Sequence, residues 1–202
     1  MDHTCIKRCG TPARLSRPRC TSTVQRLCHL GFMAGVEIRS KVSSDDADCA
    51  DLARLVYEHG GYPPFLGGGL EAFLDTSDAL GAWVAVKGPD IVGHVALTSR
   101  ASDEVLKIAS ETLGIPAERL GVVARLFVSP AHRRVGIGDA LLRKATEASI
   151  ERGRQPVLDV VMHFLGAIAL YEGRGWLRLG TVKVHVRDGL TLEEHVYALP
   201  PR

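Results

Sequence analysis

The chain has 202 residues, 46% of them apolar and 24% charged, with a formal net charge of +2. That fits one domain of ordinary size with enough apolar content for a real core. Six basic residues (Lys7, Arg8, Arg14, Arg17, Arg19, Arg26) and a single acid, Asp2, fall in residues 1–34, so 35–202 is mildly acidic, which argues against a nucleic-acid binder.

Four of the five cysteines (Cys5, Cys9, Cys20, Cys28) lie in that leader, and Cys49 alone lies in the body. Their spacing matches no zinc pattern, and an odd count suits a disulfide framework badly. With no apolar run near the roughly 18–20 residues of a membrane span, the expected location is cytoplasmic. The leader is Arg-rich and poor in acids, which superficially suits a transit peptide. The favoured reading is a disordered extension, or sequence upstream of a start at Met33, before a single domain over 35–202.

Val36–Val42 alternates as a strand. Ser43 and Ser44 then offer an N-cap, and Cys49, Leu52, Ala53, Val56 and Tyr57 form one helical stripe closed by Gly60-Gly61. The stretch GYPPFLGGG (61–69) reads as a loop, followed by a short helix over Leu70–Thr76. Ala82–Val86 and Ile91–Thr98 read as a hairpin joined by Lys87-Gly88-Pro89-Asp90. Residues 102–113 look helical, Val122–Val128 is a strand, and Gly138–Arg152 a helix. Pro156–Val161, a helix over 164–174, Leu177–Arg187 and His195–Leu199 complete the pattern. This order predicts an α/β (α+β) domain: a mixed, mostly antiparallel sheet of about six to seven strands with helices on both faces, parallel near 122–161.

The turn between Val128 and the next helix carries the clearest chemistry. Arg133, Arg134, Gly136 and Gly138 stand where a helix begins, and its first N–H groups have no internal partner. Glycines allow close approach of a ligand, and the helix dipole and arginines add positive charge. Together they suit a pyrophosphate. A Walker loop is excluded because no Gly-Lys-Ser/Thr follows, and Leu141 stands where a dinucleotide fingerprint needs its third glycine.

LFVSPAHRRVGIGDALL resembles the cofactor motif of the GNAT family of acetyl-CoA-dependent N-acetyltransferases, and AIALYEGRGW (167–176) resembles that family's second motif. The resemblance covers roughly 36–199. It implies a strand splayed from its parallel neighbour, with acetyl-CoA (coenzyme A) held along Leu126, Phe127 and Val128. It further implies that Arg133, Arg134, Val135, Gly136, Ile137, Gly138 and Asp139 surround the pyrophosphate, largely through backbone amides. Tyr171 matches the family's general acid, although the same tyrosine could be a core residue sharing a stripe with Leu165 and Ile168.

The sequence departs from the family twice. Phe164 occupies the position of a cofactor-contacting Asn, for which His163 is a candidate replacement. The strand before the turn also lacks the usual Glu, Arg125 being its only charged residue, so Asp159, His94 and His163 are candidate bases, each also readable as structural.

The implied activity is direct transfer of acetyl to the primary amine of a small molecule or a protein or peptide N-terminus. A non-catalytic acyl-CoA-binding module is the alternative. The loops at Gly60–Gly69, with Tyr62 and Phe65, and the insertion at 99–120 are expected to grip the acceptor. The apolar face of 177–199 either pairs across a homodimer or closes the core.

Overall fold

The alternation at Val36-Glu37-Ile38-Arg39 becomes an edge strand, β1 (Val36–Ser40), in the computed structural model, which describes residues 35–64, 69–77, 79–187 and 189–200. The basic leader and Phe65 lie outside the described residues. Behind β1 come helices α1 (Asp46–Gly60) and α2 (Gly69–Leu74), then the hairpin β2 (Gly81–Lys87) and β3 (Asp90–Thr98). Helix α3 (Asp103–Leu113), strand β4 (Leu120–Val128), helix α4 (Ile137–Glu151) and strand β5 (Gln155–Val161) follow. Helix α5 (Leu165–Gly173) and strands β6 (Leu177–Arg187) and β7 (Leu190–Ala198) end the chain.

The seven strands form one sheet in the order β1-β2-β3-β4-β5-β7-β6. Every pairing is antiparallel except β4 with β5. The expected mixed, mostly antiparallel sheet with helices on both faces is therefore what forms. Strand β7 is longer than its expected His195–Leu199 and starts at Leu190, because the whole of 190–198 ladders onto β6.

Two helical layers cover the sheet. Ile137, Leu141, Leu142, Ala145 and Ala148 of α4 pack on Ala85, Val95, Leu97, Val123 and Leu158, and Tyr171 and Trp176 extend this core beneath α5. On the opposite face α1 buries Cys49, Leu52, Ala53 and Val56 against Val84, Ile91 and Phe127. Helix α3 buries Val105 and Ala109 against Leu120, Val122, Val157 and Val196. Segment 99–120, expected among the acceptor loops, is thus mostly a core helix. Only its first residues, Arg100, Ala101 and Ser102, reach the cavity described below.

The entry to α1 also differs from the serine cap expected. A 3-10 turn, Ser43–Asp45, precedes the helix. Asp45 accepts the Val42 N–H at 2.8 Å and two bonds from the Arg39 guanidinium at 2.7 and 2.8 Å. The Arg39 fork, with that amide, holds its carboxyl down at about 2. A lowered pKa contributes stability above the unfolded value, near 3.8, that is lost as pH falls through about 2. Asp45→Asn is expected to cost about 1–2 kcal/mol at neutral pH, with half-exposed Arg39 limiting the effect. Urea melts at neutral pH and near pH 2 check this, because the gap from the parent protein should close in acid.

Candidate active site

The parallel pair β4–β5 is bonded only at Leu120–Gln155, Gly121–Pro156 and Val122–Val157. Beyond Val122 the two strands part, and the β5-facing backbone edge of β4 is left unpaired. A cavity of about 1110 Å³ opens at this split. It reaches both faces of the sheet, so side chains from either layer line one space.

At one end lies the turn after β4. Pro130–His132 makes a single 3-10 turn, and Arg134 and Gly136 adopt left-handed backbone, with φ of 66° and 94°. These reversals point successive N–H groups into one concavity. Among the described residues, the amides of Arg134, Val135, Gly136, Ile137, Gly138 and Asp139 donate to no protein acceptor; Ala140 is the first in the helix to do so, bonding Gly136 at 3.0 Å. The buried Ile137 side chain anchors the helix start in the core. Gly138 is not demanded by packing, since a Cβ there would lie 3.7 Å from its nearest neighbours, Leu170 and Val128. The Asp139 carboxylate is ion-paired with Arg174, which neutralises it beside this nest. Arg133 and Arg134 are exposed, and the Arg133 Nε donates to the Val128 carbonyl at 3.3 Å. The strand residues singled out in the sequence, Leu126, Phe127 and Val128, all line the cavity from β4, and Phe127 also packs against α1.

Tyr171 lines the same cavity. Its ring packs on Trp176 and Tyr197, each at 6.2 Å between centroids. Its hydroxyl has no hydrogen-bond partner among the described residues, and the side chain lines the cavity. The ring packs in the core, and the hydroxyl is unpartnered among the described residues. Leu165 does not share that stripe, being 72% exposed. Burial first, and then the nearby Asp159 charge, push the tyrosine pKa upward. Glu172, beside it, accepts the Tyr197 hydroxyl at 2.9 Å and so ties α5 to β7.

Two carboxylates line the same cavity. Asp159 and Glu194 stand on the sheet face that also carries Val157 and Val196, as the β5–β7 register requires. Burial raises Asp159 to about 6. Burial, followed by the Asp159 charge and then Glu104, raises Glu194 to about 7. Neither carboxylate forms an ion pair or side-chain hydrogen bond among the described residues. Both therefore titrate near neutrality at the cavity surface, the range a general base needs.

Of the three base candidates, Asp159 alone lines the cavity. His163 is exposed and stacks on Phe164 at 4.2 Å. His94 is fully buried, and its Nδ1–H donates to the Arg125 carbonyl at 3.0 Å. Burial drives its pKa down to about 4, so it is neutral and structural. Phe164 joins an aromatic cluster instead of offering a polar contact, with its ring 5.5 Å from that of Tyr62. Glu194 was missed because the last strand was read from His195 onward. The signal was present: Leu192, Glu194, Val196 and Ala198 alternate on one face, with a single carboxylate among apolar residues.

The profile of the acetyltransferase (GNAT) family matches residues 48–176. The chain belongs to the GNAT family of acetyltransferases. No curated protein matches it. Among solved structures, it is similar to a GNAT-family acetyltransferase from Streptococcus pneumoniae, with 19% identity and a TM-score of 0.58 over 81% of this chain and 98% of that one. It is also similar to yncA from Salmonella typhimurium, solved with its cofactor acetyl-CoA, with 20% identity and a TM-score of 0.56 over 82% and 93% of the two chains. NAA60 from Arabidopsis thaliana, in complex with acetyl-CoA, gives 18% identity and 0.61 over 81% and 97%. At these identities the likeness speaks for the fold alone. Among the described residues no helix is long and apolar enough to cross a membrane.

Proposed function

We propose that this acetyltransferase moves the acetyl group of acetyl-CoA directly onto a primary amine. The observation that carries the reading is the free-amide nest at 134–139, which opens into the same cavity as the Tyr171 hydroxyl. The nest offers six unsatisfied donors, a helix N-terminus and two flanking arginines, which fit a diphosphate. The unpaired β4 edge beyond Val122 fits an extended amide-bearing arm laid along it as an extra strand. Val128 would exchange its bond from Arg133 for one from that arm.

When bound, acetyl-CoA supplies an acyl group activated as a thioester. The chain's own residues supply two proton transfers. Asp159, with Glu194 beside it, takes a proton from the acceptor's ammonium or attacking nitrogen. Tyr171 gives its hydroxyl proton to the departing sulfur, whose free thiol has a pKa near 8.5, and regains one from water afterwards. A buried acid and two near-neutral carboxylates in one cavity favour turnover over a purely acyl-CoA-binding role.

The test is calorimetric titration of acetyl-CoA together with CoA release over a panel of amines. Absence of binding heat would overturn the cofactor assignment, and binding without release for any amine would mark a binding module. Gly138→Ala separates ligand from fold. Gly138 is the second residue of α4 and a Cβ there meets only ordinary contacts, so Tm is expected to stay close to the parent's. The added methyl intrudes on the ligand side of the nest, so acetyl-CoA affinity should fall about tenfold. Unchanged affinity in calorimetry would place the ligand elsewhere.

A further inference from the structure

Arg125 is the residue the site has not yet used. It stands at an irregularity in the β3–β4 ladder, where the register shifts between His94 and Ala96. Its φ is 53°, and it shares positive φ only with Arg134 among the described non-glycine residues. A long side chain held in that region costs energy and persists where surrounding structure over-determines it. Here His94 does so, by its bond to the Arg125 carbonyl, while its own ring stacks on Phe127 at 5.0 Å.

The consequence is the aim of the guanidinium. It lines the cavity, with its carbon 5.9 Å from the centre of the Phe73 ring. Burial lowers its pKa, and among the described residues it forms no ion pair or hydrogen bond. Asp75 acts on it only from a distance, its own carboxylate accepting the Ser77 N–H at 2.8 Å. A half-buried guanidinium with five unused donors is expensive without an anionic partner. Asp159 and Glu194, on β5 and β7, line the same cavity as Arg125 and Tyr62. The rings of Tyr62, Phe73 and Phe127 lie 5.9–6.4 Å apart around it, and Phe164 closes on Tyr62.

We infer that the acceptor is a free amino acid with an apolar side chain: its carboxylate pairs with the Arg125 guanidinium, its amine faces Asp159 and Glu194, and its side chain lies among the aromatic rings. This rests on the N-acetyltransferase reading of the same cavity and narrows it. A guanidinium meets a carboxylate in a two-bond fork, which a neutral carboxamide cannot match. The opposed charges then orient the amine toward the base.

The test is calorimetry with L-phenylalanine, L-methionine and L-leucine, each beside its carboxamide, on the free protein and on protein saturated with CoA. At least one acid should bind about tenfold or more tightly than its amide. Arg125→Asn, whose residue tolerates positive φ, should abolish that preference, and Arg125→Lys should retain part of it. Thermal melts and CoA titration of both variants establish that they fold. Equal binding of acids and amides, no binding of any acid, or an acid preference that survives Arg125→Asn would each overturn the inference. Acetylation of simple amines or peptide N-termini with no response to free acids would sink this proposal alone, leaving the transferase reading intact.

Discussion

Tyr171→Phe is expected to lower kcat by about 10²–10³-fold while acetyl-CoA binding and Tm stay close to those of the parent. The ring contacts with Trp176 and Tyr197 survive the change, and the lost hydroxyl has no protein partner to strand. Loss of a proton donor therefore separates cleanly from loss of packing. A tyrosine hydroxyl is protonated at working pH even at its ordinary value of about 10, and burial keeps that proton on until a thiolate is there to take it. Stopped-flow or steady-state CoA release, run beside calorimetry, reads the split. An unchanged kcat with a validated acceptor would show that Tyr171 is only a core residue.

Asp159→Asn should combine a large loss of kcat/KM, about 10²-fold, with a gain in heat stability at alkaline pH. The sign follows from burial. Asp159 titrates at about 6 in the folded protein against about 3.8 as a free side chain. A raised carboxyl pKa favours the protonated form, so the folded state loses stability as pH rises through 6. Asparagine removes that penalty, and its Tm should exceed the parent's near pH 8 and approach it near pH 4. The parent's kcat/KM should climb between about pH 6 and 7 as Asp159 and Glu194 lose their protons. Since the two interact, the limb belongs to the pair rather than to either residue. In Asp159→Asn, Glu194 no longer feels a neighbouring negative charge, so the residual limb should move to lower pH. Tyr62 and Tyr171 also interact with this pair, their pKa values pushed upward by burial, and Glu104 acts on Glu194. A pH profile identical in the parent, Asp159→Asn and Glu194→Gln would remove both carboxylates from the proton transfer.

An inactive yet more stable variant would also say why two buried acids persist. Packing alone would favour apolar residues at positions 159 and 194, as at Val157, Val161 and Val196 around them. Uncompensated carboxylates in such a wall indicate a use that outweighs their desolvation.

Most of the architecture was legible in the residues. Strand alternation, the stripe from Cys49 to Val56 and the stop at Gly114 all act within a few positions of chain, whereas Tyr57, expected on that stripe, is exposed. The turn of free amides was legible for the same reason, because Gly136, Gly138 and a helix start are local facts. What local pattern could not reach was any choice made by strands distant in sequence. The splay of β4 from β5, the burial that raises Asp159 and Glu194, and the meeting of both with Tyr171 depend on β7 crossing beside β5. His94 reads the same way in sequence whether it is a base or a brace; only its bond to the Arg125 carbonyl decides that it is a brace. Charge in water is a property of the residue, whereas charge in a cavity is a property of everything packed around it.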